Sequence, residues 1–188
     1  MLDELINLVK QQAGDAIVNN PAIPNDKNDL AVQEAGSSIL GGLQNALSGG
    51  GLKDVLKLFG GQGNDIASNP VTQQVSGNVV QNLMQKFNLD QGAASNIAGS
   101  LVPNVLQKLV SKTNDPSDSS FDIQGIFNNL SNGKTSGMNI QGLLSKVAGS
   151  GLDRDGDGDV DLQDAMAMLG GGQGAGGLMD KVKGFFGG

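Results

Sequence analysis

The chain has 188 residues, with 19 acids against 12 bases, no His, no Cys, no Trp and no Tyr. That length suits one compact domain with an appendage, or two small domains. The missing residue types rule out disulfides, thiolate and imidazole metal sites, and the usual histidine general base. The acidic balance and the lack of a basic patch argue against nucleic acid as a partner. With six Phe as the only aromatics, the core must be built from Leu, Val, Ile, Ala and Met. Thirty Gly exceed the ~7% typical share and imply many helix ends and connectors.

The first segment opens with acids and places Leu2, Leu5, Ile6 and Val9 on one helical face, which predicts a helix to about residue 19. A signal peptide needs a basic start and an unbroken apolar run, and neither is here. No stretch approaches ~18 apolar residues. A cytoplasmic protein is therefore the expectation.

Pro21 and Pro24 mark a turn, and Asp29 is placed to cap a second helix. Its stripe is Ile39, Leu40, Leu43 and Leu47, and it stops at Gly49, Gly50 and Gly51. Residues 52–59 make a short helix, and the Gly-rich run 60–63 breaks it. Residues 71–87 carry Val75, Val79, Val80, Leu83, Met84 and Phe87 at three- and four-residue spacing. Asp90 then caps a helix through Ala94, Ile97, Leu101, Val105, Leu106 and Leu109, which Pro103 is expected to kink or split. The alternating β-branched runs that mark strands are scarce, so the fold class is all-α.

Three stretches carry a family resemblance: Gly51-Leu-Lys-Asp-Val-Leu-Lys-Leu-Phe59, Val79-Val-Gln-Asn-Leu-Met-Gln-Lys-Phe-Asn-Leu-Asp90, and Ala93-Ala-Ser-Asn-Ile-Ala-Gly-Ser-Leu-Val-Pro103. They resemble the YidB-like bacterial family of unknown function, over roughly residues 1–112. What the resemblance implies is a soluble helical bundle with no assigned catalysis. It carries over no active-site residue.

Residues 113–120 form a polar linker rich in Asn, Asp, Ser and Pro. Beyond it a short echo appears, in which Asp122-Ile-Gln-Gly returns 17 residues later as Asn139-Ile-Gln-Gly. Each Asx is an N-cap for a helix of two to three turns. The second helix leads into Asp153-Arg-Asp-Gly-Asp-Gly-Asp-Val-Asp-Leu-Gln-Asp164.

This stretch reads as a calcium loop of the EF-hand type. Ca²⁺ takes six to eight oxygens at about 2.3–2.6 Å, so acidic groups must converge on one point. Asp153, Asp155 and Asp157 stand at loop positions 1, 3 and 5. Gly158 stands at the sharp turn of position 6. Asp159 at position 7 supplies its carbonyl, Asp161 is at 9 and Asp164 at 12. Val160 is the apolar plug at position 8. Six acids against Arg154 put −5 of the chain's −7 net charge into this loop, a cluster that repels itself without a cation. Asp164 replaces the longer Glu found at position 12 of tighter sites, which favours weaker binding and tolerance of Mg²⁺.

The loop also resembles dockerin segments, which share the Asp-Gly-Asp-Gly core and likewise end in Asp. Dockerins carry two such loops and this chain has one, which argues against that kind of docking. A C-terminal segment of this type is a familiar appendage in the wider YidB-like family.

The organisation expected is thus a helical bundle over 1–112, a linker over 113–120, a helical calcium module over 121–170, and a Gly-rich tether with an amphipathic tail over 171–188. The outgoing helix of the hand would run over residues 162–169, with Met166 and Met168 as core filler. The tail presents Leu178, Met179, Val182, Phe185 and Phe186 along one side. With two Lys it suits docking on its own domain or on a second copy better than a membrane surface. The Gly-rich runs lack the Lys and Ser/Thr of a phosphate loop, and the serines have no His to activate them. The expectation is a non-enzymatic, calcium-binding scaffold able to self-associate. The alternative is a regulatory module that exposes Met166, Met168 and Leu169 to a partner.

Overall fold

The computed structural model describes residues 2–60, 66–115, 117 and 121–147. It is mostly helical, and there is no strand among the described residues. No helix among them is long and apolar enough to cross a membrane.

The seven α-helices are α1 (Leu2–Gln12), α2 (Asn28–Ser48), α3 (Leu52–Gly60), α4 (Pro70–Phe87), α5 (Gln91–Thr113), α6 (Ile123–Leu130) and α7 (Ile140–Val147). Helices α1, α2, α4 and α5 form a closed ring, with α1 touching α2 and α5, and α4 touching α2 and α5. Helix α3 lies against α2, α4 and α5, and the α6–α7 pair covers it, with α7 on α3 and α6 on α2. The buried apolar residues, from Leu5 to Leu143, form one cluster that runs through both layers.

Local signals set the helix boundaries. Asn69 caps α4 by accepting from the Val71 amide at 2.8 Å, with Pro70 in the first turn where a missing N–H costs nothing. Asn88 ends α4 in the left-handed region at φ 53°, a conformation Asn tolerates better than most residues. Asp90 caps α5 through the Ala93 amide at 3.0 Å. Helix α2 closes at Gly49, and Gly50 takes φ +89° to turn the chain into α3. A Cβ on Gly51 would lie 2.7 Å from the Ala46 carbonyl oxygen, so the turn is built for glycine.

Three boundaries differ from the sequence reading. The first α-helix stops at Gln12 rather than near residue 19. Beyond Ala13 the chain opens into a wide turn over Gly14–Val18, where the Val18 amide donates to the Ala13 carbonyl and the Asn19 amide to that of Gly14. Gly14 is a poor helix former, and the wider turn still buries Ile17 fully. Asp29 does not cap α2, which begins one residue earlier. Lys27 stands at the cap without a side-chain bond, and Asp29 lies in the first turn, where its charge still favours the helix dipole. Pro103 does not split α5, which is continuous through it. Leu101, Val102, Val105 and Leu106 are fully buried on both sides of the proline, and this packing outweighs the bond it removes.

The ring closes through small side chains. Ala31, Ala35, Ser38, Gly42 and Ala46 are all buried along α2. At Gly42 an added Cβ would sit 2.8 Å from Val75 Cγ2 and 3.1 Å from Val75 Cα, so α4 rests almost on the α2 backbone. Gly36 meets Ile6 of α1 in the same way, at 3.0 Å. Gly41, the residue before Gly42, has nothing within 4 Å of the corresponding point.

That contrast gives a paired prediction. Gly42→Ala should destabilise by about 1–3 kcal/mol, because the crowding at Val75 exceeds the gain in helix propensity. Gly41→Ala should stabilise by ~0.5–1 kcal/mol, since only propensity changes. Urea unfolding of the two variants measures both signs, and equal effects would mean that α2 and α4 do not meet at Gly42.

Candidate metal centre

The six loop aspartates, Asp153, Asp155, Asp157, Asp159, Asp161 and Asp164, lie outside the described residues, as do Val160, Met166, Met168, Leu169 and the tail. What the structure describes is the helix that leads towards them and the way that helix is held.

Helix α6 starts at Asp122, whose Oδ2 accepts from the Gly125 amide at 2.7 Å. Helix α7 starts at Asn139, whose Oδ1 accepts from the Gly142 amide at 2.8 Å. The repeated Asx-Ile-Gln-Gly unit thus makes the same cap twice. In both units the residue three beyond the cap is glycine, and its Cβ would stand 3.2–3.3 Å from the capping side chain. Between the helices the chain turns through Asn132 (φ 53°) and Gly133 (φ +85°). The Gly133 amide donates to the Asn128 carbonyl at 2.8 Å, closing the end of α6.

The two helices are then clasped by one side chain. Gln124 donates from Nε2 to the Thr135 carbonyl at 3.2 Å, and its Oε1 accepts from the Ile140 amide at 3.2 Å. The first amide of α7, an orphan in an isolated helix, is therefore satisfied from α6. Thr135 is fully buried. Its amide donates to Ser131 Oγ at 3.0 Å, and its hydroxyl pairs with the same oxygen at 2.9 Å. Each polar group of Thr135 is thereby paired, as burial requires.

Apolar contacts hold the pair on the bundle. Ile140 and Leu143 of α7 are buried in the common core. Gly60, at the end of α3, lets Leu144 come within 3.0 Å of the position a Cβ would take. Phe59 of α3 meets Phe127 of α6 edge-on, with ring centroids 5.6 Å apart and planes at 66°. Asn114, just past α5, donates to the Phe59 carbonyl at 3.0 Å and fixes the same corner from the other side.

Among the described residues no three acidic side chains converge in a way that could hold a metal ion. A polar groove of about 320 Å³ runs between α2 and α4, lined by Glu34, Ser38, Asn45, Asn78, Gln81 and Asn82 among others. Its carboxylate is engaged. Lys86 pairs with Glu34, Ser38 Oγ donates to Glu34 Oε1 at 3.4 Å, and Asn82 donates to Ser38 Oγ at 2.7 Å. This chain of polar contacts ties α4 to α2 along the rim of their apolar seam.

The sequence reading singled out neither Gln124 nor Thr135. The recurrence of Gln after Asx-Ile in both units, at Gln124 and Gln141, was the signal that could have marked the first of them. Gln124→Ala leaves the Ile140 amide and the Thr135 carbonyl without this partner. It should cost about 1–3 kcal/mol, measured by urea unfolding followed by circular dichroism, and a change within a few tenths would mean that the clasp contributes nothing.

No protein-family model, no curated protein and no solved structure matches this chain.

Proposed function

We propose that this protein is a non-enzymatic, calcium-binding helical scaffold in which one Ca²⁺ stabilises the C-terminal module. The observation that carries the reading is the register of residues 153–164. Acids stand at positions 1, 3, 5, 9 and 12, with Gly158 at the turn and Val160 at the plug. A merely solvated acidic run has no reason to keep that order. Asp153, Asp155, Asp157, Asp161 and Asp164 would supply side-chain oxygens and Asp159 its carbonyl. Mg²⁺ is the competing cation, because Asp164 stands where tighter calcium sites carry the longer Glu.

The reading is supported by α7, an Asx-capped helix in the place of the incoming helix of a hand. The YidB-like resemblance over roughly residues 1–112 agrees with a helical scaffold and offers no catalytic group. A lone hand leaves Val160 and Leu162 in need of cover, from its own helices or from a second copy, and self-association through that surface or through Phe185 and Phe186 follows from it.

Calorimetry should find one site per chain, abolished in the double variant Asp153→Ala/Asp157→Ala. Unchanged binding in that variant would refute the assignment. Light scattering with calcium and with chelator tests self-association. A strict monomer in both, combined with calcium-induced binding of a hydrophobic dye, would favour the sensor alternative built on Met166, Met168 and Leu169.

A further inference from the structure

We infer that the outer face of α4 is a docking surface for a second copy of this chain, packed about a two-fold axis. This deepens the self-association reading above, on a different surface, and is independent of the calcium reading.

Helix α4 carries a second pattern besides its core face. Val71, Thr72, Val75, Val79 and Leu83 are buried. Gln73, Gly77, Val80, Met84 and Phe87 recur at spacings of four, three, four and three, the repeat by which one helix lies along another. At 3.6 residues per turn, Gly77 and Met84 stand on the side opposite Val75. Gln73 and Gly77 are exposed. Val80, Met84 and Phe87 pack against the core yet are only half-buried, so each keeps part of its apolar surface in water. Glycine is a poor helix former, and a Cβ at Gly77 would meet nothing within 4 Å. No contact inside the chain calls for a glycine there, whereas close approach of another backbone does.

Charge identifies the occupant. The chain carries −7, so two copies repel wherever their acids face each other. No charged residue occurs in 35–52, 66–85 or 91–107, which leaves most of α2, α4 and α5 neutral, with the Lys86–Glu34 pair at one end. A charged partner surface would lose its water here and gain no opposite charge in return. The partner must therefore be neutral and rich in groups that both donate and accept. Asn45, Gln74 and Gln81 are exposed and Asn78 and Asn82 half-buried, and each carboxamide does both. The face is thus its own complement, and a two-fold contact, in which each copy offers the same patch, meets the condition by construction.

Light scattering on the full chain tests this. The mass should climb towards that of two chains as concentration rises, with calcium or with chelator, since no residue of the face belongs to 153–164. Gln74 and Gln81 flank the seam two turns apart. The variants Gln74→Glu/Gln81→Glu and Gln74→Lys/Gln81→Lys each bring like charges together, and each should raise the dissociation constant about tenfold or more. Helicity and the urea midpoint should stay as in the parent, because both glutamines are exposed. An equal mixture of the two variants should associate again, now with opposite charges across the contact. Undiminished association in either variant, or a mixture that stays monomeric, would overturn the α4 contact and leave self-association through Val160, Leu162, Phe185 or Phe186 standing. A parent chain that is monomeric at every concentration would overturn both.

Discussion

How closely α2 can approach its neighbours decides the rest of this structure. A chain with so few aromatic side chains cannot fill wide spaces between helices. It gains contact by bringing backbones together instead, since dispersion falls off steeply with any gap. Ala31, Ala35, Ser38, Gly42 and Ala46 make α2 thin along one side, and Val75 of α4 rests on the backbone at Gly42. The polar chain Lys86–Glu34–Ser38–Asn82 then lies along the edge of that seam. Only Lys86 is well exposed; Ser38 is buried and Glu34 and Asn82 are half-buried, so their polar groups depend on one another.

The second layer follows from the first. With the four-helix ring closed, α3 presents Phe59 and Gly60 to α6 and α7, one as a large contact and one as a space. Neither short helix could hold its shape alone. Each is fixed by a local cap, by burial against α3 or α2, and by Gln124 between them. The C-terminal pair is thus part of the common core, even though a polar stretch of sequence separates it from α5.

Much of this was legible before the structure. Three- and four-residue spacing marked α2, α4 and α5, and the Asx caps of α5, α6 and α7 follow from side chains that bond the amide three residues on. Local chemistry of that kind is written locally. The misreadings arose where packing overrules propensity. Pro103 looks like a break until Leu101, Val102, Val105 and Leu106 hold the helix through it. Gly14 looks harmless inside a helical pattern, yet there the backbone widens. The clasp by Gln124 was not legible, because a glutamine gives no sign of which distant amide it will meet. The acidic run 153–164 is the reverse case: the calcium reading rests on its order and spacing alone, and the run lies outside the described residues.

The turn after α6 has a consequence for the chemical lifetime of the chain. Asn-Gly is the dipeptide in which the following backbone nitrogen most easily attacks the side-chain amide, losing ammonia through a cyclic imide and leaving a carboxylate. Asn132-Gly133 is such a pair, exposed to solvent. In the folded protein the Gly133 amide is bound to the Asn128 carbonyl, and Asn132 is held in the left-handed region. Attack requires breaking that bond and rotating the backbone, which means opening the end of α6. The cap that terminates a helix therefore also slows ageing of the residue that forms it, and the corner is chemically durable only for as long as it stays folded.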